Sequence, residues 1–288
     1  MAEQKSLLIV GCGDIGNGLA DIYLARDWRV DGLRRNIDKL AMGVTALAAD
    51  VCDPQSVAQL GPLRADYVVI TLTPGGYGPE GYRKIFEDGL NNVLAAIAVP
   101  PKLLLFVSST GVYAQASHEW IDEQSATDPD RFSGQNLLKA EQIVAATQWP
   151  YTNIRFGGIY GSGRLQMLSK VLEGDCAPAE PLHYTNRIHR DDCVGFLSHL
   201  IDKAEAAQAI QPCYLGVDDE PASIQDVQSW LADELNVVYA SKGQPVARTG
   251  SKRCSNALLR ESGYQLKFPT FRQGFVTVLE EWRKSEEK

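Results

Sequence analysis

Short apolar runs alternate with amphipathic stretches along the first third of the chain. Residues 7–10, 28–33, 67–72 and 103–108 are compact apolar runs bounded by Gly, Asp or Pro, a pattern that suits strands buried on both faces. Between them, residues 18–26 and 89–98 repeat apolar positions with a helical period. Asp53-Pro54 reads as a helix start, with Asp as the N-cap and Pro in the first turn, and residues 57–60 supply one packed turn. A series of this kind is βαβ, and the sheet it predicts is parallel.

Further on, the pattern predicts a helix over 135–147, a strand over 152–156 and a Gly-rich stretch over 157–163. Beyond these the signals weaken. Helices are expected over 167–173, 192–203 and, with a cap, 223–235; a strand over 213–216; and a loop over 175–186. No internal repeat or low-complexity tract interrupts the chain. The expected organisation is a doubly wound parallel sheet, α/β of the Rossmann type, occupying residues 1–165. Residues 166–288 form a mixed region that completes the sheet and builds a smaller, discontinuous substrate-binding part.

Composition narrows the partners. With 288 residues and 44% apolar content the chain buries a large core. A net charge of −8 and no Lys/Arg-dense run argue against a nucleic-acid partner, because phosphate readers cluster cations. The apolar segment near the N-terminus is too brief for a signal core or a membrane span, so a cytoplasmic protein is expected, with no membrane partner. The six cysteines include no C-x-x-C pair, and none has a His at zinc-ligand spacing. Reduced, mostly buried thiols and no metal are the expectation. Only four histidines limit the supply of general bases.

The sharpest chemical signal follows the first strand. Gly11-Cys12-Gly13-Asp14-Ile15-Gly16 is a G-x-G-x-x-G that opens a helix. Gly11 makes the tight turn, Gly13 lets the backbone approach a pyrophosphate, and Gly16 lets the helix pack on the strand. The N–H groups of the helix start, with Asp14 and Ile15, are then expected to face the phosphates. The second strand leads into Arg34-Arg35, where an NAD site usually carries an acidic residue. A guanidinium there pairs with a 2′-phosphate, which favours NADP(H). Asp31 is the counter-argument: a shifted register brings its carboxylate to the ribose and selects NAD(H) instead.

Taken in order, these segments resemble an extended or atypical short-chain dehydrogenase/reductase of the NAD-dependent epimerase/dehydratase type. The matching segments are the glycine turn, Asp50-Val51, Thr71-Leu72-Thr73, Ser108-Ser109-Thr110-Gly111-Val112-Tyr113, Arg155 to Gly161, and Ile188-His189-Arg190-Asp191-Asp192. A C-terminal element over residues 258–274 completes the likeness, which spans nearly the whole chain. The resemblance implies that Asp50 and Val51 contact the adenine, that Thr71 borders the cofactor, and that two chains pair as a homodimer.

It also implies a catalytic Ser or Thr, which falls on Ser109, and a lysine, Lys139, that binds the nicotinamide ribose. The family's tyrosine stands four residues before that lysine, on the same helical face, where the ammonium lowers the phenol's pKa. In this chain that position is Gln135. An amide cannot ionise, so ordinary alcohol–carbonyl redox loses its acid. Three readings stay open. Another phenol reaches the site, from Tyr113, Tyr77, Tyr82 or Tyr160; or Ser109 and a water relay the proton; or the fold binds the cofactor without turning it over.

The bland readings are weighed beside these. His189, ahead of Asp191-Asp192 at a helix start, is expected to be structural. Arg155 and Arg164 face either an anionic substrate or a carboxylate of the core rim. The acidic run 119–123 is taken as structural. The function expected is an NADP(H)-binding, epimerase/dehydratase-like oxidoreductase for a small hydroxyl/carbonyl substrate, a sugar or nucleotide-linked sugar among them. The alternative is a dinucleotide-binding redox sensor or scaffold.

Overall fold

A strand buried on both faces needs a helix over each, so the apolar runs can be satisfied only by a layered sheet. The structure, a computed structural model, describes residues 4–244, 246 and 250–286. The remaining residues of the expected 166–288 region (245, 247–249, 287 and 288) lie outside those described. The first strands are β1 (Ser6–Val10), β2 (Arg29–Arg34), β3 (Thr45–Ala48), β4 (Tyr67–Ile70) and β5 (Leu103–Ser109). There follow β6 (Ser117–Ile121), β7 (Tyr151–Phe156), β8 (Gly158–Tyr160), β9 (Tyr184–Thr185) and β10 (Arg187–His189). The last are β11 (Cys213–Gly216), β12 (Ala222–Ser223) and β13 (Ser251–Cys254).

Seven strands make one sheet in the order β11-β7-β5-β4-β1-β2-β3. The pairs β2·β3, β1·β2, β1·β4 and β4·β5 all run parallel. The strand order reverses between β1 and β4, and open sheets bind ligands in the crevice beyond the C-terminal ends at such a reversal. The doubly wound Rossmann architecture expected from the sequence is the one observed.

The first helices are α1 (Asp14–Leu24), α2 (Pro54–Ala58), α3 (Pro79–Arg83), α4 (Leu90–Ala96) and α5 (Phe132–Ala146). Two differ from the sequence pattern. In place of one helix over 89–98, the chain runs α3, then a π-helical turn Lys84–Gly89, then α4. The wider turn breaks the 3.6-residue period that a sequence pattern can register. Helix α5 begins three residues earlier than expected because Gly134 weakens the helical signature there. Packing requires that glycine: a Cβ on it would lie 2.4 Å from the Gly111 carbonyl oxygen. Strand β3 makes no apolar run that a sequence pattern can register, since it is a short, mostly exposed edge strand.

The described residues fall into two compact units, each discontinuous in sequence. Unit 1 takes those within Met1–Tyr113, Thr127–Arg155 and Val194–Tyr214; unit 2 takes those within Ala114–Ala126, Phe156–Cys193 and Leu215–Lys288. In unit 1 the apolar strands are sealed by a buried polar network. Arg155 donates through Nε and Nη2 to both oxygens of Glu141, at 3.0 and 2.6 Å, and through Nη1 to the Tyr113 hydroxyl at 2.6 Å. Ser108 Oγ donates to Glu141 at 2.6 Å.

Unit 2 builds its own core on Tyr160, Leu168, Val227, Leu231, Phe271, Phe275 and Val278. Its helix Ile224–Leu235 starts on a capping box, Ser223 with Asp226. His189 is buried and accepts the Asp191 N–H on Nδ1 at 3.1 Å. Asp192 accepts the N–H groups of Lys267 and Phe268 at 2.7 and 2.9 Å. Asp192 thus fastens residues 267–268 to the start of the helix Arg190–Glu205. All six cysteines are free thiols.

Candidate cofactor site

The glycine turn is clamped between two strand ends. Gly11 has φ +78°, and a Cβ on it would sit 2.9 Å from the Thr71 carbonyl oxygen, so no other residue fits the bend. Its N–H and that of Cys12 donate to Leu33 O at 2.9 and 3.2 Å, and Thr71 Oγ1 donates to Gly11 O at 2.9 Å. Thr71 thus borders the site and holds the bend through its hydroxyl. A Cβ on Gly16 would meet Ile9 Cγ2 at 2.9 Å, which is the close helix-on-strand packing the spacing requires.

Gly13 is different. A Cβ there would have only the Gly11 carbonyl oxygen nearby, at 3.6 Å, so its bare side faces open space. Gly13 is also the N-cap of α1, and no side chain caps it. First-turn amides of a helix have no carbonyl four residues back within the helix, and such a start suits an anion. Burial pushes the Cys12 thiol up to about 11, against the pull of Arg34, so between the glycines it is an inert wall.

Beside this turn lies a cavity of about 430 Å³, lined by residues 11–13, 33–36, 49–51, 71–73 and Ile85. The two arginines occupy it differently. Arg34 donates from Nη1 to Cys12 O at 2.9 Å and to Lys39 O at 3.2 Å, so it braces the glycine turn. Arg35 is exposed and makes no hydrogen bond or ion pair among the described residues. Asp31 does not line the cavity and instead pairs with Arg29 at 3.2 Å. Asp50 and Val51 do line it; Asp50 Oδ1 accepts the Cys52 N–H at 3.0 Å. An open backbone cradle, an uncapped helix start and an unpaired guanidinium suit the phosphates of a dinucleotide.

The residues expected at the reacting end lie outside the cavity lining, at the tip of β5 and along α5. Ser109 ends β5; its Oγ accepts the Gly111 N–H at 3.1 Å and keeps its own proton to donate. The close fit of Gly134 on Gly111 brings the first turn of α5 against this loop. Gln135 and Lys139 follow one helical turn apart, on one face. Gln135 donates from Nε2 to Pro129 O at 3.0 Å, and Lys139 Nζ lies 2.5 Å from Glu87 Oε2.

The four phenols separate. Tyr113 is 3% exposed, with its hydroxyl and ring both engaged by Arg155, so the structure places it in the core of unit 1. Arg155, for its part, is spent on Glu141. Tyr160 belongs to the core of unit 2, and Arg164 lies in that unit too. Tyr77 and Tyr82 pack around Phe132, at ring distances of 5.0 and 5.3 Å, beside the start of α5. Of the alternative phenols, these two are the ones that unit 1 gathers near Gln135.

A family profile described as NAD(P)H-binding matches residues 11–204, from the glycine turn through the helix Arg190–Glu205. The chain belongs to that family. A candidate NAD-dependent epimerase/dehydratase of Methylobacillus flagellatus is 36% identical, with a TM-score of 0.82, over 97% of this chain and 99% of the other. The resemblance to epimerase/dehydratases of the short-chain dehydrogenase/reductase type therefore holds, and the family's cofactor is a nicotinamide dinucleotide. Protein YeeZ of Escherichia coli strain K12 is 28% identical over 226 residues, covering 73% of this chain and 78% of that protein. The UDP-glucose 4-epimerase of Thermus thermophilus, solved with NAD, has a TM-score of 0.81 at 17% identity, over 97% and 99% of the two chains. At that identity it speaks for the fold of this NAD(P)H-binding protein.

The carboxylates Glu87 and Glu141, partners of Lys139 and Arg155, were not legible in the sequence. Each is brought to its partner by tertiary packing, and no spacing in the sequence announces the pair. No helix among the described residues is long and apolar enough to cross a membrane.

Proposed function

We propose that this chain is an NADP(H)-binding, epimerase/dehydratase-like oxidoreductase acting on a small hydroxyl/carbonyl substrate. The observation that carries the cofactor choice is Arg35: an exposed guanidinium, unpaired among the described residues, in the wall of the cavity beside the glycine turn. A guanidinium in that position matches a 2′-phosphate with charge-assisted bonds. In this reading Gly11, Gly13 and Gly16 with Asp14 and Ile15 seat the pyrophosphate. Arg35 takes the 2′-phosphate while Arg34 braces the turn, and Asp50, Val51 and Thr71 border the adenosine. Ser109, Gln135 and Lys139 face the nicotinamide end, with Lys139 on the ribose. The sugar nucleotides named for the UDP-glucose 4-epimerases supply the first substrate class to try.

A second reading rests on Gln135. Its amide is bound to Pro129 O, and an amide carries no titrating proton, which favours a sensor or scaffold that holds the dinucleotide without turning it over. The two readings part in one assay. Purified protein is titrated with NADPH and NADH, then offered aldehydes, ketones and sugar nucleotides while cofactor absorbance is followed. Tighter NADPH binding with turnover of a member of the panel supports the enzyme. Binding without any turnover moves the conclusion to the sensor, and no binding of either nucleotide ends both.

A further inference from the structure

Lys139 is held by a carboxylate, Glu87, that lies outside the short motifs on which the resemblance rests. In the pair of Lys139 Nζ with Glu87 Oε2, the Glu87 side chain is 19% exposed and that of Lys139 is 56% exposed, so the anion is the anchored partner. Glu87 sits in the π-helical turn Lys84–Gly89, whose Ile85 lines the cavity. Such turns are rare, occur mostly as single turns inside α-helices, and are frequent at functional sites. This one is also fastened to the adenosine end. Cys52 Sγ donates to Lys84 O at 3.5 Å, and Asn92 Nδ2, one turn further on, donates to Val51 O at 2.9 Å. The turn thus reaches from the loop of Asp50 and Val51 to the face of α5 that carries Gln135 and Lys139.

An ammonium on a half-exposed helix position loses considerable rotamer freedom when it is held still. It has three donors, so it can give one to a carboxylate and keep two for ribose hydroxyls. With glutamine at position 135, no phenol one turn back on α5 shares in orienting it. Resting on the cofactor reading above, we propose that Glu87 is a positioning residue that aims the Lys139 ammonium at the nicotinamide ribose, with the π turn carrying it into place. Glu87 then acts on the nicotinamide half of the cofactor and leaves the adenosine half alone.

Titration calorimetry on the full chain tests this with two probes, NADPH and its adenosine bisphosphate half. Glu87→Gln is expected to weaken NADPH about threefold to fivefold, the range for a partly exposed ion pair, and to leave the half-molecule unchanged. Lys139→Met should weaken NADPH to a similar degree, and adding Glu87→Gln to it should change nothing more, as for two members of one pair. Unchanged binding of the half-molecule doubles as the check that each variant is folded. Equal weakening of both probes, additivity with Lys139→Met, or no weakening at all overturns the positioning role. If the unmodified chain takes up neither probe, the cofactor reading falls and this inference falls with it.

Discussion

Gln135 gives its side-chain N–H to the carbonyl oxygen of Pro129, one helical turn before Lys139 on the same face of α5. The neighbour one turn before the lysine is therefore a group that is hydrogen-bonded and has no titrating proton. Gln135→Tyr puts a phenol on that face. Because positioned acid–base groups contribute about 10²–10⁴-fold, carbonyl reduction with NADPH should rise roughly a hundredfold if the rest of the constellation is in place. A Tyr variant that binds NADPH yet is as inactive as the parent would count against the enzyme reading.

The unequal partners of Arg34 and Arg35 predict unequal variants. Arg35→Ala should lower NADPH affinity about tenfold or more, the cost of losing hydrogen bonds to a charged group, and leave NADH unaffected. Arg34→Ala should weaken both nucleotides alike, because it removes the donor that braces the turn through the Cys12 carbonyl. Parallel losses for NADPH and NADH in the Arg35 variant would remove the 2′-phosphate from this wall.

Gly13→Val fills the one open side of the cradle. The valine meets little protein, since the nearest atom to its Cβ is 3.6 Å away, so folding should be spared. Affinity for both nucleotides should fall about tenfold or more as amide bonds to the pyrophosphate are lost. Calorimetry showing parental affinity in a folded Val variant would make the glycine purely architectural.

Removing one member of the buried pair Arg155–Glu141 should be costly. The side chains are 9% and 5% exposed, and breaking such a pair leaves a stranded charge at about 3–5 kcal/mol. Arg155→Met should show that loss in urea unfolding, whereas Arg155→Met with Glu141→Leu should recover most of it. A single variant as stable as the parent would mean that the network is not a keystone of unit 1.

Asp218 in unit 2 predicts a pH effect. Burial pushes its carboxyl up to about 8, with Arg187 working in the opposite direction and Glu220 and Asp219 adding to the rise. The folded form therefore holds its proton more tightly than the unfolded chain does. Its contribution is whole below the ordinary carboxylate range, drains away as pH rises towards about 8, and changes no further above that. Asp218→Asn should flatten the stability-against-pH curve between those limits. An unaltered slope in that variant would assign the effect elsewhere.

The central strands of the Rossmann sheet could be read because they are apolar runs that a parallel sheet buries on both faces, as β1 and β4 show, whereas the exposed edge strand β3 could not. The phosphate cradle could be read because one short segment, 11–16, contains all its glycines. What stayed hidden depends on contacts distant in sequence. The carboxylates on Lys139 and Arg155 are examples, as is the hydroxyl of Thr71 that pins Gly11. Tyr113 looked available because it follows a strand end, and only packing reveals the guanidinium beside its ring. The roles of Arg34 and Arg35 could not be separated from their adjacency alone. Their partners, two backbone carbonyls for one and none among the described residues for the other, are set by the turns around them.

Unit 1 draws on Val194–Tyr214, long after its other segments have been made, and this bears on how the protein comes into being. A fragment cut at residue 165 would lack the strand that pairs with β7 and would expose a raw sheet edge, an invitation to aggregation. On the ribosome the same edge waits uncovered until β11 emerges, so the dinucleotide-binding half closes late and invites chaperone attention during synthesis.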